Sequence, residues 1–156
     1  MGLDGSGLRR LTGIDCTNST TVNATRNTVD HSPCWSPDGT KIVFARTNTS
    51  SGVTKLQIIR ASGGWVARDL AVGTAPQWSR VTPAGGLDIA YEKGPDIFLT
   101  DELGTSRSLI TDASDPVWSP DGSRLVYLDG STRLLTEIKD DGTGKQLKYT
   151  GSVSRA

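Results

Sequence analysis

The sequence predicts an all-β chain built from a repeated four-stranded unit, and three observations predict it. Glycine is abundant, 18 of 156 residues with 7 prolines, and both fall at intervals between short runs rich in Val, Ile, Leu, Phe and Tyr. Such punctuation separates strands, because Gly permits and Pro fixes the dihedrals of tight turns. No stretch carries the apolar period of an amphipathic helix with conviction. Finally, Trp35, Trp78 and Trp118 stand 43 and 40 residues apart, and each is followed by Ser.

The tryptophans belong to a longer repeat. One copy reads Pro33-Cys34-Trp35-Ser36-Pro37-Asp38-Gly39 and runs on to Ile42 and Phe44; another reads Pro116-Val117-Trp118-Ser119-Pro120-Asp121-Gly122 and runs on to Leu125 and Tyr127. Between them lies a degraded copy, Pro76-Gln77-Trp78-Ser79-Arg80, whose closing aromatic is Tyr91, with four extra residues in its turn around Pro83–Gly86. Ser-Pro-Asp-Gly is turn chemistry: Pro presets the first central position, Asp caps locally, and Gly takes the left-handed one. It joins a strand ending at Trp to an alternating second strand. A third strand is expected at 55–60, 96–100 and 134–139, and a fourth near 66–70, 106–110 and 145–149, with a Gly-containing turn between them. Four strands in about 40 residues joined by hairpins make one blade of a propeller.

The N-terminus is out of phase. Asp4-Gly5-Ser6-Gly7 and residues 8–12 match Asp141-Gly142-Thr143-Gly144 and residues 145–147, the third turn and fourth strand of a unit. The expected organisation is therefore the last strand of an incomplete blade at 1–12, an inserted polar loop at 13–32, blades at 33–75, 76–115 and 116–150, and a tail at 151–156. The fold is a β-propeller segment of three four-stranded antiparallel blades plus an orphan N-terminal outer strand. A closed propeller usually needs about four to eight blades, because each blade buries its faces only against neighbours. The chain is accordingly a fragment of a longer propeller, a unit that associates with another copy through its open edges, or an open arc.

With its Pro-x-Trp-Ser-Pro-Asp-Gly hallmark complete at 33–39 and 116–122 and partial at 76–79, the sequence resembles the TolB-like propellers built from WD40-like (PD40) repeats. The missing hallmark turn in the middle unit and the low unit count depart from that family. The resemblance implies a non-catalytic module for protein or peptide binding, a scaffold, periplasmic or otherwise outside the cytoplasm. It implies an alternative too, since the same repeats form the gating propeller of prolyl-oligopeptidase-type serine peptidases, here without the hydrolase domain.

Composition narrows the function classes. Lys plus Arg and Asp plus Glu are both 17, so no net charge draws the chain to nucleic acid or to an anionic membrane. No run approaches a membrane span, and Met1–Gly7 shows neither the charged nor the apolar part of a signal peptide. One His and two Cys leave little for a metal site, and no cofactor is expected. Gly104-Thr105-Ser106-Arg107-Ser108 lacks the final Gly of a nucleophile elbow, and the Asp-Gly pairs lack the alternating ligands of a calcium loop. The chain is expected not to be an enzyme.

Candidate partner-binding residues are Asp30, His31, Trp65, Arg80 and Asp115. Asp30-His31 and Asp115 approach the first strands of two units, where carboxylates face the axis of a ring or serve turn hydrogen bonds. Trp65 follows Gly63-Gly64 at an outer turn and has no counterpart in the other units. Trp35, Trp78 and Trp118, by contrast, recur with the repeat and are expected to fill the space between blades. The Asn/Thr-rich 13–32 loop is either a recognition element or decoration, and Asn18, Asn23 and Asn48 fit the glycosylation pattern. Cys16 and Cys34 flank that loop, either as a staple or as thiols with Cys34 packed as a small hydrophobe.

Overall fold

The computed structural model describes residues 11–12, 27–62, 66–80, 86 and 88–147. They form twelve strands in three four-stranded antiparallel sheets. The first sheet is β1 (Thr28–Trp35), β2 (Lys41–Asn48), β3 (Thr54–Arg60) and β4 (Val66–Val72), in that spatial order. The second is β5 (Thr74–Trp78), β6 (Ile89–Lys93), β7 (Asp96–Thr100) and β8 (Ser106–Ile110). The third is β9 (Ala113–Trp118), β10 (Arg124–Asp129), β11 (Leu135–Lys139) and β12 (Gln146–Leu147). Each sheet is an up-and-down meander, as a blade requires, and no helix among the described residues is long and apolar enough to cross a membrane.

Strand β1 begins at Thr28, inside the stretch read as a loop. The cause lies in its partner: β2 continues to Asn48, and the pairs Thr28↔Asn48, Val29↔Thr47 and Asp30↔Arg46 use backbone that would otherwise face water. The orphan strand, most of the 13–32 loop, Cys16 and Trp65 lie outside the described residues. Leu11 is described, and it packs against Ile42, Phe44 and Ile59 of the first blade.

The two Ser-Pro-Asp-Gly turns are built alike. The Ser36 hydroxyl donates to Asp38 Oδ1 at 2.6 Å and accepts the Lys41 N–H at 2.9 Å, while Asp38 Oδ1 accepts the Thr40 N–H at 3.0 Å. In the other copy Ser119 donates to Asp121 Oδ1 at 2.6 Å and accepts from Arg124 N at 3.1 Å, and Asp121 Oδ1 accepts the Ser123 N–H at 3.1 Å. Gly39 and Gly122 hold φ of 68° and 69°, where a Cβ is strained. These hydrogen bonds, led by the one from serine, hold the carboxyls of Asp38 and Asp121 down at about 2.

Each blade junction is one apolar cluster. Val43, Ala45, Leu56 and Ile58 of the first blade meet Trp78, Ile89 and Tyr91 of the second. Ala90, Ile97 and Leu99 of the second meet Leu125, Tyr127 and Ile138 of the third, with Trp118 packed beside them. Alternation along each strand sends one set of side chains to the preceding blade and the other to the next. The approach is close enough at Gly73 that a Cβ there would come within 2.5 Å of Glu92 O and of the Tyr91 ring.

One tryptophan departs from the expected core role. Trp78 is 5% exposed, but Trp35 is 59% exposed. The positions are equivalent in the repeat, so the difference comes from the neighbour. Trp78 has the first blade against it, whereas no described strand lies on the corresponding side of Trp35.

Burial at the junction gives the first expected outcome. Trp78→Ala lowers stability by about 3–5 kcal/mol in urea denaturation, while Leu103→Ala, at a 68% exposed position, changes it by less than about 0.5 kcal/mol. The turns give a second. Folded-state carboxyls depressed to about 2 contribute stability above the ordinary aspartate pKa near ~4 and lose it as pH falls through about 2. Thermal melts of Asp38→Ala/Asp121→Ala therefore show a deficit against the parent at neutral pH that narrows towards pH 2.

Candidate functional site

The innermost strands β1, β5 and β9 run one per blade, and their two ends carry different chemistry. Within each, three residues before its tryptophan, sits a non-glycine residue in the left-handed region: Ser32 (φ 51°), Ala75 (φ 48°) and Asp115 (φ 53°). Each precedes the proline of Pro-x-Trp, and the pairing register shifts there in all three blades. Proline brings no N–H to the ladder, so the bulge falls where a donor is already missing. Such backbone costs on the order of 1–3 kcal/mol and persists because the flanking pairs hold it.

The expected site residues separate at this point. The Asp30 carboxylate takes both ends of the Arg46 guanidinium, at 2.6 and 2.7 Å, and Arg46 lies 5.2 Å above the Phe44 ring. Arg46 is pushed up in pKa, first by its hydrogen bonds to Asp30. His31 is held at both nitrogens, Nδ1 at 3.1 Å from Ser32 Oγ and Nε2 at 3.1 Å from Thr47 Oγ1. Asp115 is the counterpart of Ser32 rather than of Asp30; its N–H donates to Glu92 Oε1 of the second blade at 2.7 Å, and its carboxylate accepts from Ser114 Oγ. Arg80 lies beyond the opposite end, after Trp78. The structure thus groups Asp30 with His31 but does not bring them together with Arg80.

At that opposite end the three strand termini enclose a cleft of about 770 Å³. Trp35, Trp78 and Trp118 line it with Gln77, Arg80 and Val117. Trp118 reaches across the junction, its indole N–H donating to Gln77 O at 3.1 Å. The Trp78 backbone N–H donates to Cys34 Sγ of the first blade at 3.2 Å, and the half-buried Cys34 packs against the core. Trp35, Val117 and Arg80 stand open to solvent. Among the described residues no group of three or more His, Cys, Asp or Glu is placed to hold a metal ion. The described lining offers the exposed Trp35 and Val117 side chains and the Arg80 cation among polar groups.

Beneath Trp78 sits a buried carboxylate. Asp88 Oδ2 accepts the Trp78 indole N–H at 3.0 Å, while Asp88 Oδ1 has no hydrogen-bond partner among the described residues. Burial pushes the Asp88 carboxyl up, the indole N–H opposes it, and Glu102 and Asp101 add to the rise. A carboxyl raised in the folded state costs stability as pH climbs through its folded pKa. Asp88→Asn keeps an oxygen for the indole and removes the charge. It is expected to raise the urea midpoint at pH 7, with the gain shrinking as pH falls through the parent's raised carboxyl pKa and gone below the ordinary aspartate value of about 4.

No family model matches the chain. A TolB homologue from Chlorobium luteolum is 29% identical over 122 residues, covering 72% of this chain and 27% of that protein. Among solved structures, one assigned as TolB from Agrobacterium tumefaciens superposes with a TM-score of 0.51 at 15% identity, over 79% of this chain and 62% of that one. Hydrazine synthase from Kuenenia stuttgartiensis gives 0.56 at 14% identity, over 77% of this chain and 25% of that one. Such low identities to solved structures speak for the fold alone, and the chain spans about a quarter of the curated relative's length. Taken with the recurring Trp-Ser-Pro-Asp-Gly turns and the three stacked four-stranded sheets, these likenesses show that the chain has a TolB-like β-propeller fold and is similar to a TolB homologue over most of its length.

Proposed function

We propose that the chain is a non-catalytic scaffold that docks a protein or peptide, with the tryptophan-lined cleft as its recognition surface and the exposed Val117 and Leu135 face of the third blade available for association. The observation that carries this reading is the cleft itself. Rigid strand ends from three blades converge on it, two of its large side chains remain exposed, and a cation, Arg80, stands at the rim. Aromatic surface with a guanidinium is the composition at which docked chains find most of their binding energy. The TolB resemblance supports a role outside the cytoplasm.

A labelled library of extended peptides tests the reading by fluorescence anisotropy. Peptides combining apolar residues with a carboxylate are expected to bind, and Arg80→Glu is expected to weaken them by about tenfold or more. Asp30→Asn, at the far end of the strands, is expected to leave binding unchanged. Capture that is indifferent to Arg80→Glu but lost with Asp30→Asn moves recognition to the strand starts and sinks the cleft.

A further inference from the structure

The middle blade breaks the repeat where it reaches the cleft. Pro37 and Pro120 follow Trp-Ser in the first and third units, and Arg80 stands at that position in the middle one. The change gives up a turn in which serine and aspartate satisfy the backbone, and a local rule broken at such a cost points to function. This blade has a described blade packed on each side, so the setting of Arg80 is internal to the described residues. Arg80 is exposed and has no hydrogen bond or ion pair among them, and no carboxylate lines the cleft. An unmatched guanidinium selects an anionic group, which its planar fork holds with two hydrogen bonds.

The strand edges that reach the cleft are poor templates for another strand. Strands β1, β5 and β9 lie at the edges of their sheets, and Ser36, Ser79 and Ser119 turn their N–H groups into their own blades. Alternation then points outward the backbone nitrogens of each tryptophan and of the proline two residues before it. Pro33, Pro76 and Pro116 have no N–H to offer, and the Trp78 N–H is spent on Cys34 Sγ. A ligand here is held by side chains rather than by a ladder.

The indole donors indicate its kind. Trp78 Nε1 is taken by Asp88 and Trp118 Nε1 by Gln77 O, while Trp35 Nε1 has no partner among the described residues. The exposed Pro33 and Pro37 line the same cleft as Trp35. Unspent donors on aromatic and proline surface have their complement in a proline-rich chain. Its carbonyls are unpaired, it brings few N–H groups of its own, and its rings pack on indole.

We propose that the cleft takes a proline-rich segment in the polyproline II conformation, with an acidic side chain seated on Arg80 and a backbone carbonyl on the Trp35 indole N–H. The inference rests on the cleft reading above and names the class of its ligand. Such a segment needs no partner strand, and it is ordered before it docks, which lowers the entropy lost on binding.

Three blocked peptides test this: prolines flanking one glutamate, the same peptide with valine for proline, and the same with glutamine for glutamate. Fluorescence anisotropy on the full 156-residue chain reads their binding. The first peptide is expected to bind at least about tenfold more tightly than either counterpart. Arg80→Ala removes the preference for glutamate over glutamine and keeps that for proline over valine; Trp35→Ala does the reverse. Both side chains are exposed, so circular dichroism should show an intact strand signal, and Arg80→Gln replaces an alanine variant that loses it. Leu103→Ala, away from the cleft, leaves binding unchanged. A valine peptide that binds as well as the proline peptide overturns the polyproline assignment while the cleft stands. A glutamate preference that survives Arg80→Ala overturns the ionic seat. Where neither these peptides nor the acidic library binds, the cleft reading falls as well.

Discussion

The fold depends on one constraint, which is that each four-stranded blade is apolar on both faces and must bury them against other blades. Val43, Ala45, Leu56 and Ile58 are at most 3% exposed only because Trp78, Ile89 and Tyr91 lie over them. A single meander of this length could not hold itself together in water, since an isolated small sheet buries too little. Stability is shared along the row of blades, each resting on its neighbour, as in other repeat architectures. Where no described blade lies alongside, Trp35, Val117 and Leu135 are exposed.

Local chemistry fixes the geometry within which that burial occurs. The Ser-Pro-Asp-Gly turn satisfies its own backbone through one serine hydroxyl and one carboxylate, so the first two strands of a blade are joined without outside help. The middle blade lacks this turn: it keeps the backbone bond the other two also make, Ser79 N–H to Asp88 O at 2.7 Å beside Ser36 N–H to Lys41 O and Ser119 N–H to Arg124 O, but there the Asp88 carboxylate anchors the Trp78 indole. Two solutions thus place tryptophan at the same junction position. One is autonomous, and the other carries a buried charge.

The separation of the strand ends has consequences for function. The starts of β1, β5 and β9 are occupied by internal contacts: Asp30 with Arg46, His31 with Ser32 and Thr47, and Asp115 with Ser114 and, through its backbone, Glu92. Groups so engaged have little left for a partner. The Trp ends are the reverse, with open aromatic and aliphatic surface beside a guanidinium. Interaction energy is concentrated where large side chains are both rigid and wet before docking, which is the condition of Trp35.

Much of this was legible in the residues. The spacing of Trp35, Trp78 and Trp118 and the Gly-containing turns yield the blade repeat, and β7 and β8 fall at 96–100 and 106–110 as the pattern indicates. Turn dihedrals and strand alternation are local properties, carried by a few neighbouring side chains, so a linear string determines them. The string did not reveal that Ser32, Ala75 and Asp115 share a left-handed bulge, that Asp30 is neutralised by Arg46, or that Trp35 is bare while Trp78 is covered. Cross-strand partners and the presence of a blade alongside decide each of those, and they are set by contacts between residues far apart in the chain. The sequence by itself determined the unit and its repetition; only the tertiary structure decided which copies of a repeated residue are core and which are surface, because burial belongs to the neighbour as much as to the residue.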